Sequence, residues 1–181
     1  MPRLPEILER DALPEDKREA FDYLLKTRGG VRLPFSPLLH SPDVTQRVAH
    51  VGTYIRFESA LPAKDRELAV LTAARELDVA FEWAAHVRGA NDVGISQTAV
   101  DAIAQRRDLA GLSDEEALPV RFARALLIDH RVPDATFEAV RRRYGDQGVI
   151  DLAATVGYYA MIGALFNALA IEPSAEAPKL P

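Results

Sequence analysis

The sequence predicts an all-α fold, a single-domain helical bundle of seven or eight helices over residues 1–173 followed by a flexible C-terminal tail at 174–181. Three observations lead there. No run alternates apolar and polar residues with period two between turn signals, as a half-buried strand would. Apolar residues recur instead at spacings of three and four. Helix punctuation also recurs, with Ser-Pro or Ser ahead of the periodic stretches and Gly behind them. At 181 residues, 48% hydrophobic and 27% charged, the chain can bury one sizeable core.

Taken in order, PEDKREAFDYLLKTRGG opens at Pro14, carries the stripe Phe21, Leu24, Leu25 and stops at Gly29-Gly30, so it is the first helix. VRLPFSPLLH, with two prolines among apolar residues, is expected to be an extended loop pressed against the body, of the kind that walls a pocket. Ser41-Pro42 begins the next helix, the serine capping and the proline at the first helical position. That helix runs to Pro62 with Val48, Val51, Ile55 and Phe57 facing inward. Pro62 starts AKDRELAVLTAAREL, which packs through Leu68, Leu71 and its alanines, and Asp78 is placed to cap the helix carrying Glu82, Trp83 and His86, closed by Gly94.

Ser96 caps a short helix, and Ser113 with Glu116 three residues on forms a capping box ahead of ALPVRFARALLIDHR, where Pro119 is tolerated. Asp134 caps ATFEAVRRRYG and Asp146 opens a long final helix. That helix is apolar on nearly every side, which in a domain of this size calls for a second subunit, so a homo-oligomer (dimer, trimer or hexamer) is expected.

Composition excludes several functions. A formal net charge of −5 offers no electrostatic attraction to nucleic acid or to an anionic membrane. With no cysteine in the chain, disulfides, thiol nucleophiles and thiol peroxidase chemistry are all absent. The amino terminus has no apolar run of the signal-peptide kind. Residues 149–171 are long enough to span a bilayer, but Asp151 and Asn167 within them favour a buried helix. The cytoplasm is the expected compartment.

The chemistry gathers at RELAVLTAARELDVAFEWAAHVRGAN, which carries Glu67, Glu82 and His86. Glu82 and His86 are four residues apart, so their side chains share a helix face, and Glu67 on the preceding helix can join them. Two readings stay open. An exposed pair at this spacing is ordinary and stabilises a helix by roughly 0.3 kcal/mol. A buried cluster, its carboxylate desolvated beside Trp83, would hold a proton near neutral pH and pass it to a substrate. Trp83, Tyr158, Tyr159 and Asn167 are candidates to line a cavity, each equally able to serve the core or to satisfy a backbone group. Arg88, near the His86 face, and Arg56 are candidates to clamp a carboxylate, against the plainer role of surface charge. Neither the Glu-x-x-His pairs of a di-iron site nor a His-Glu-x-x-His zinc motif is present, so no metal is expected.

At these residues the chain resembles the carboxymuconolactone decarboxylase family, which shares its fold with alkylhydroperoxidase D-like proteins. The resemblance is carried by RELAVLTAARELDVAFEWAAHVRGANDVGIS, by PFSPLLHSPDV and RFESALPAKDREL before it, and by YYAMIGALFNALAIEP near the end. In the peroxidase branch a Glu precedes a Cys-x-x-Cys pair and then a His. Glu67 and His86 match the outer positions, while Val79 and Glu82 stand where the cysteines would be.

The resemblance implies a cofactor-free acid/base enzyme that decarboxylates a small carboxylated lactone or related ring compound. In that scheme His86 or Glu82 supplies the proton, Glu67 orients His86 and an arginine holds the carboxylate. An isomerase or hydrolase on the same scaffold, or a non-catalytic oligomeric binding protein, are the alternatives.

Overall fold

The structure, a computed structural model, describes residues 2–181. Seven α-helices and no strand occur among the described residues: α1 (Arg18–Arg28), α2 (Pro42–Thr53), α3 (Ala63–Glu76), α4 (Ala80–Val87), α5 (Gln97–Ala104), α6 (Asp114–Ile128) and α7 (Asp134–Leu169). The chain divides into two compact units, one of residues 1–59 and 165–172, the other of residues 60–164 and 173–181.

In the first unit α1 packs on α2, burying Ala20, Phe21 and Leu24 with Leu39 and Ala49. Gly29, at φ 69°, ends α1 in the left-handed conformation that glycine adopts without strain. The proline-rich stretch winds into a 3-10 helix at Ser36–His40, with Ser36, Pro37, Leu38 and Leu39 buried, where an extended loop was expected. Pro37 is compatible with this winding because it lies in the first turn, where its missing N–H costs nothing.

Three expectations for α2 need correction. Ser41 forms no side-chain cap: it closes the preceding 3-10 helix with ψ at 81°, away from the extended backbone of a capping serine, and its carbonyl accepts from the Thr45 backbone N–H and hydroxyl. The helix ends at Thr53 and widens into a π-helical turn at Tyr54–Glu58. Val51 (45%) and Phe57 (64%) are exposed, and only Val48 and Ile55 of the expected stripe are buried.

The second unit is organised around α3, which packs on α4, α5 and α6. Leu68 through Ala74 are all buried, so this helix is surrounded rather than packed on one face. Alanines at 69, 73 and 74 permit that close approach, and the two core clusters of the unit meet on its opposite sides. The turn into α4 is made by Asp78 at φ 50°. Asp78 does not cap α4 as expected; its carboxylate binds Arg75 and Arg106 instead. Arg106 also pairs with Glu76, which Arg124 holds from α6, so the α3 C-terminus is clamped from two sides.

Ser96 and Ser113 cap α5 and α6 as their sequence contexts predict, accepting from the backbone N–H of Ala99 and Glu116 at 3.1 and 3.3 Å. The capping box is not closed in the usual way. The Glu116 carboxylate accepts from the Ser96 backbone N–H at 2.9 Å and pairs with Lys64 at 3.1 Å, tying the starts of three helices together. Burial alone would raise the Glu116 pKa, but those bonds hold it below the usual carboxylate range.

Within α7 the backbone breaks at Gly145 (φ 71°), which separates the two helices expected there. Residues of α7 between Val140 and Val156 pack on Leu61, Ala69 and Phe122. The opposite face, Ile150, Ala154, Gly157, Met161 and Ala164, is exposed, so within one chain this helix is not buried all round. It is the one helix among the described residues long and apolar enough to cross a membrane. The core helix of a soluble protein passes the same test.

Candidate functional site

Three elements of the second unit bring the site together. Glu67 sits on α3 immediately before the buried run that starts at Leu68, so its carboxylate is delivered to the interior rather than to solvent. Glu82 and His86 lie one turn apart on α4, whose next inward residue, Trp83, is anchored at 3% exposure among Leu68, Leu71 and Ile103. That anchoring fixes the rotation of α4 and turns the Glu82–His86 face toward Glu67. Tyr159 reaches the same point from α7.

The geometry is specific at the imidazole. His86 Nδ1 donates to Glu67 Oε2 at 2.6 Å, and Nε2 lies 3.2 Å from Glu82 Oε2 and 3.3 Å from the Tyr159 hydroxyl. Both ring nitrogens therefore face a carboxylate, and the Tyr159 ring meets the imidazole edge-on at 5.3 Å between centroids. The side chains of His86, Glu67 and Glu82 keep 12%, 17% and 9% of their surface exposed, enough to be reached but too little for water to compete freely for their hydrogen bonds. Arg66 Nε stands 3.8 Å from the other Glu67 oxygen and offsets part of its charge.

Electrostatics follow from this arrangement. Desolvation by burial disfavours the imidazolium, but hydrogen bonds and charge from Glu67 and Glu82 outweigh it and push the His86 pKa up to about 9. At neutral pH the group is an imidazolium shared between two carboxylates. It is a stored proton with a defined direction of delivery, through Nε2 toward Glu82 and Tyr159.

The remaining sequence candidates are dispersed. Tyr158 is buried and packs edge-on against Tyr159 at 5.2 Å, bracing it. Trp83 belongs to the core. Arg88 is exposed and donates from Nη2 to the Glu176 carbonyl at 3.0 Å, while Leu180 packs on the core cluster that holds Trp83, so residues 173–181 lie back along their own unit. Arg56 and Asn167 lie in the first unit, Arg56 over the Phe57 ring and Asn167 exposed near the end of α7.

Tyr159 was offered by the sequence to line a cavity, but two contacts at this site are tertiary and carry no signal that spacing rules detect. Tyr159 meets His86 across 73 positions. Gly163, one turn further on, faces Val79 at the α3–α4 turn, where an added Cβ would stand 2.5 Å from Val79 Cγ2. Only the missing side chain lets α7 approach close enough to place Tyr159 on the imidazole. Among the described residues no group of three or more His, Asp or Glu side chains is arranged to hold a metal ion.

Residues 42–125 match the model of the Carboxymuconolactone decarboxylase family. No curated protein matches the sequence. Among solved structures, an uncharacterized peroxidase-related protein with an alkylhydroperoxidase AhpD core, from Ralstonia eutropha JMP134, superposes with a TM-score of 0.76 at 22% identity, over 97% of this chain and 93% of that one. A peroxidase-related protein from Silicibacter sp. TM1040 gives 0.72 at 18% identity, over 97% and 95%. A protein of unknown function from Agrobacterium tumefaciens, associated by its description with antioxidant defence and AhpD, gives 0.67 at 18%, over 76% and 94%. At these identities the likeness establishes an AhpD-like fold.

Proposed function

We infer, for a chain that over residues 42–125 is a member of the carboxymuconolactone decarboxylase family, that Glu67, His86 and Glu82 form a proton-transfer centre. Its substrate is a small carboxylated ring compound, and decarboxylation of a lactone is the leading reaction. The supporting observation is the buried imidazole held between two carboxylates, with a tyrosine hydroxyl at the nitrogen that faces Glu82. Some of the structural relatives are named peroxidase-related. This chain has no cysteine, so a thiol-based peroxidase reaction has no nucleophile here.

In the proposed reaction the bond between the ring carbon and the carboxylate breaks, carbon dioxide leaves, and the electron pair passes through conjugation onto the lactone carbonyl. Tyr159 donates a hydrogen bond to that oxygen as its charge develops. The Nε2 proton of His86 then goes to carbon. One carboxylate and one proton thus become carbon dioxide and a C–H bond, and solvent restores the proton to His86. Glu67 holds the ring in place through Nδ1, and Glu82 keeps the proton on the substrate side. No step calls on a metal or organic cofactor. The general-acid contribution is on the order of 10²- to 10⁴-fold in rate. A cytoplasmic setting is part of the same proposal.

The test is to incubate the protein with carboxylated lactones in deuterated water while following carbon dioxide release and deuterium at carbon. Release with deuterium incorporation is expected, reduced more than about tenfold in both Glu82→Gln and His86→Gln. Deuterium incorporation without carbon dioxide would move the reaction to isomerisation on the same scaffold, which the shared proton between Glu82 and His86 equally serves. Neither signal across the panel would overturn the catalytic reading and leave a binding protein.

A further inference from the structure

The first unit contains a cavity of about 330 Å³ whose walls include Thr27, Arg28, Arg32, Phe35, Arg56 and Phe57. Three guanidinium groups converge on it, and no Asp or Glu lines it. Arg28 is half-buried, donates from Nη2 to the Ala49 carbonyl at 3.1 Å, and stands 5.2 Å from the centre of the Phe35 ring. Arg56 lies at the same distance over Phe57 on the π-helical turn, which carries both residues to the cavity edge.

The charge balance is unusual for this chain. It holds 27 acidic against 22 basic residues, and arginines elsewhere, such as Arg10, Arg75, Arg124 and Arg143, are paired with carboxylates. Neither Arg32 nor Arg56 forms an ion pair among the described residues. Like charges gathered in a concave, partly apolar site raise the local potential and concentrate anions.

We propose that this cavity binds a small flat organic anion, a ring bearing one carboxylate, and that it is a site in its own right. Arg32 and Arg56 would take the carboxylate, because the planar guanidinium matches its two oxygens. Phe35 and Phe57 line the same cavity and would meet the ring with the surface that Arg28 and Arg56, each over one of the two rings, leave uncovered. The volume is near the lower end of the roughly 300 to 1,000 Å³ typical of ligand pockets, which suits a single ring and not a nucleotide. Apolar walls at Leu33, Pro34 and the two phenylalanines favour a ring acid over inorganic phosphate. The inference does not depend on the proton-transfer reading.

The experiment is calorimetric titration of the full chain with benzoate and, separately, with inorganic phosphate. Benzoate, which lacks the lactone that the proton-transfer centre is proposed to act on, is expected to bind once per chain, and to weaken about tenfold or more in Arg32→Gln and in Arg56→Gln. Both side chains are exposed, so the variants should keep the helical circular dichroism of the parent. In His86→Gln the benzoate affinity is expected to be unchanged. No benzoate binding, unchanged affinity in Arg32→Gln or in Arg56→Gln, loss of binding in His86→Gln, or displacement of benzoate by equimolar phosphate would each overturn the proposal.

Discussion

His86 shows how a residue of ordinary type acquires a chemical role from its neighbours. Its free-imidazole pKa of 6.5 is carried to about 9 by two carboxylates acting against the desolvation that would lower it. Because the folded pKa lies above the unfolded one, the stabilisation this group supplies is complete below pH 6.5 and is lost as pH rises through about 9. Unfolding free energy measured by denaturant titration should therefore fall between pH 6.5 and 9.5, by up to roughly 3 kcal/mol. In His86→Gln that decline should largely vanish; an equal decline in the variant would mean another group is responsible. Glu82→Gln removes one of the two charges, so the imidazole should titrate at lower pH in NMR spectra, and an unmoved titration would show that Glu82 does not hold the proton. Tyr159→Phe keeps the edge-on ring contact and removes the hydroxyl, so turnover should drop about tenfold or more while stability changes little.

At the scale of elements, the decisive packing is the approach of α7 to the turn between α3 and α4. Gly163→Ala places a methyl 2.5 Å from Val79 Cγ2, and the helix must retreat. A cost of about 1 to 3 kcal/mol is expected, read as a lower melting temperature, together with reduced turnover because Tyr159 moves with the helix. A variant as stable and active as the parent would show that the turn yields instead. The caps on α5 and α6 were readable from their serines because an N-cap is a local matter of one side chain and an N–H three residues on. Ser41 and Asp78 had equally good local credentials and did not cap. Ser41 closes the preceding 3-10 helix with ψ at 81°, away from the 148° and 152° that aim the Ser96 and Ser113 hydroxyls at their helices, and Asp78 was drawn away by Arg75 and by Arg106 from 28 residues off. Long-range ion pairs of that kind are outside the reach of spacing rules.

At the scale of the whole molecule, the exposed stripe Ile150, Ala154, Gly157, Met161, Ala164 repeats at alternating steps of four and three, the spacing of a helix seam. Ile150 (68%) and Met161 (43%) are its large apolar side chains, standing in solvent on one continuous stripe. We expect the stripe to be covered by a second copy of the chain, and Met161→Glu to lower the mass seen by light scattering; a wild-type monomer, or an unchanged mass in the variant, would place the contact elsewhere or remove it. The helical class, the order of the helices, the two working caps and the shared face of Glu82 and His86 were determined by the sequence alone, since each depends on neighbours within about four positions. The sequence also offered Glu67, on the preceding helix, as a third member, and tertiary packing sets its Oε2 2.6 Å from His86 Nδ1. Tertiary structure alone decided that Trp83 serves the core, that Tyr159 and not Arg88 stands at the imidazole, and that Arg56 belongs to a cavity with Arg28 and Arg32. The physical reason is the same in each case. Periodicity tells which way a side chain points from its own helix, whereas what it meets is set by how closely helices far apart in the chain can approach, and here a glycine and a row of alanines set that distance.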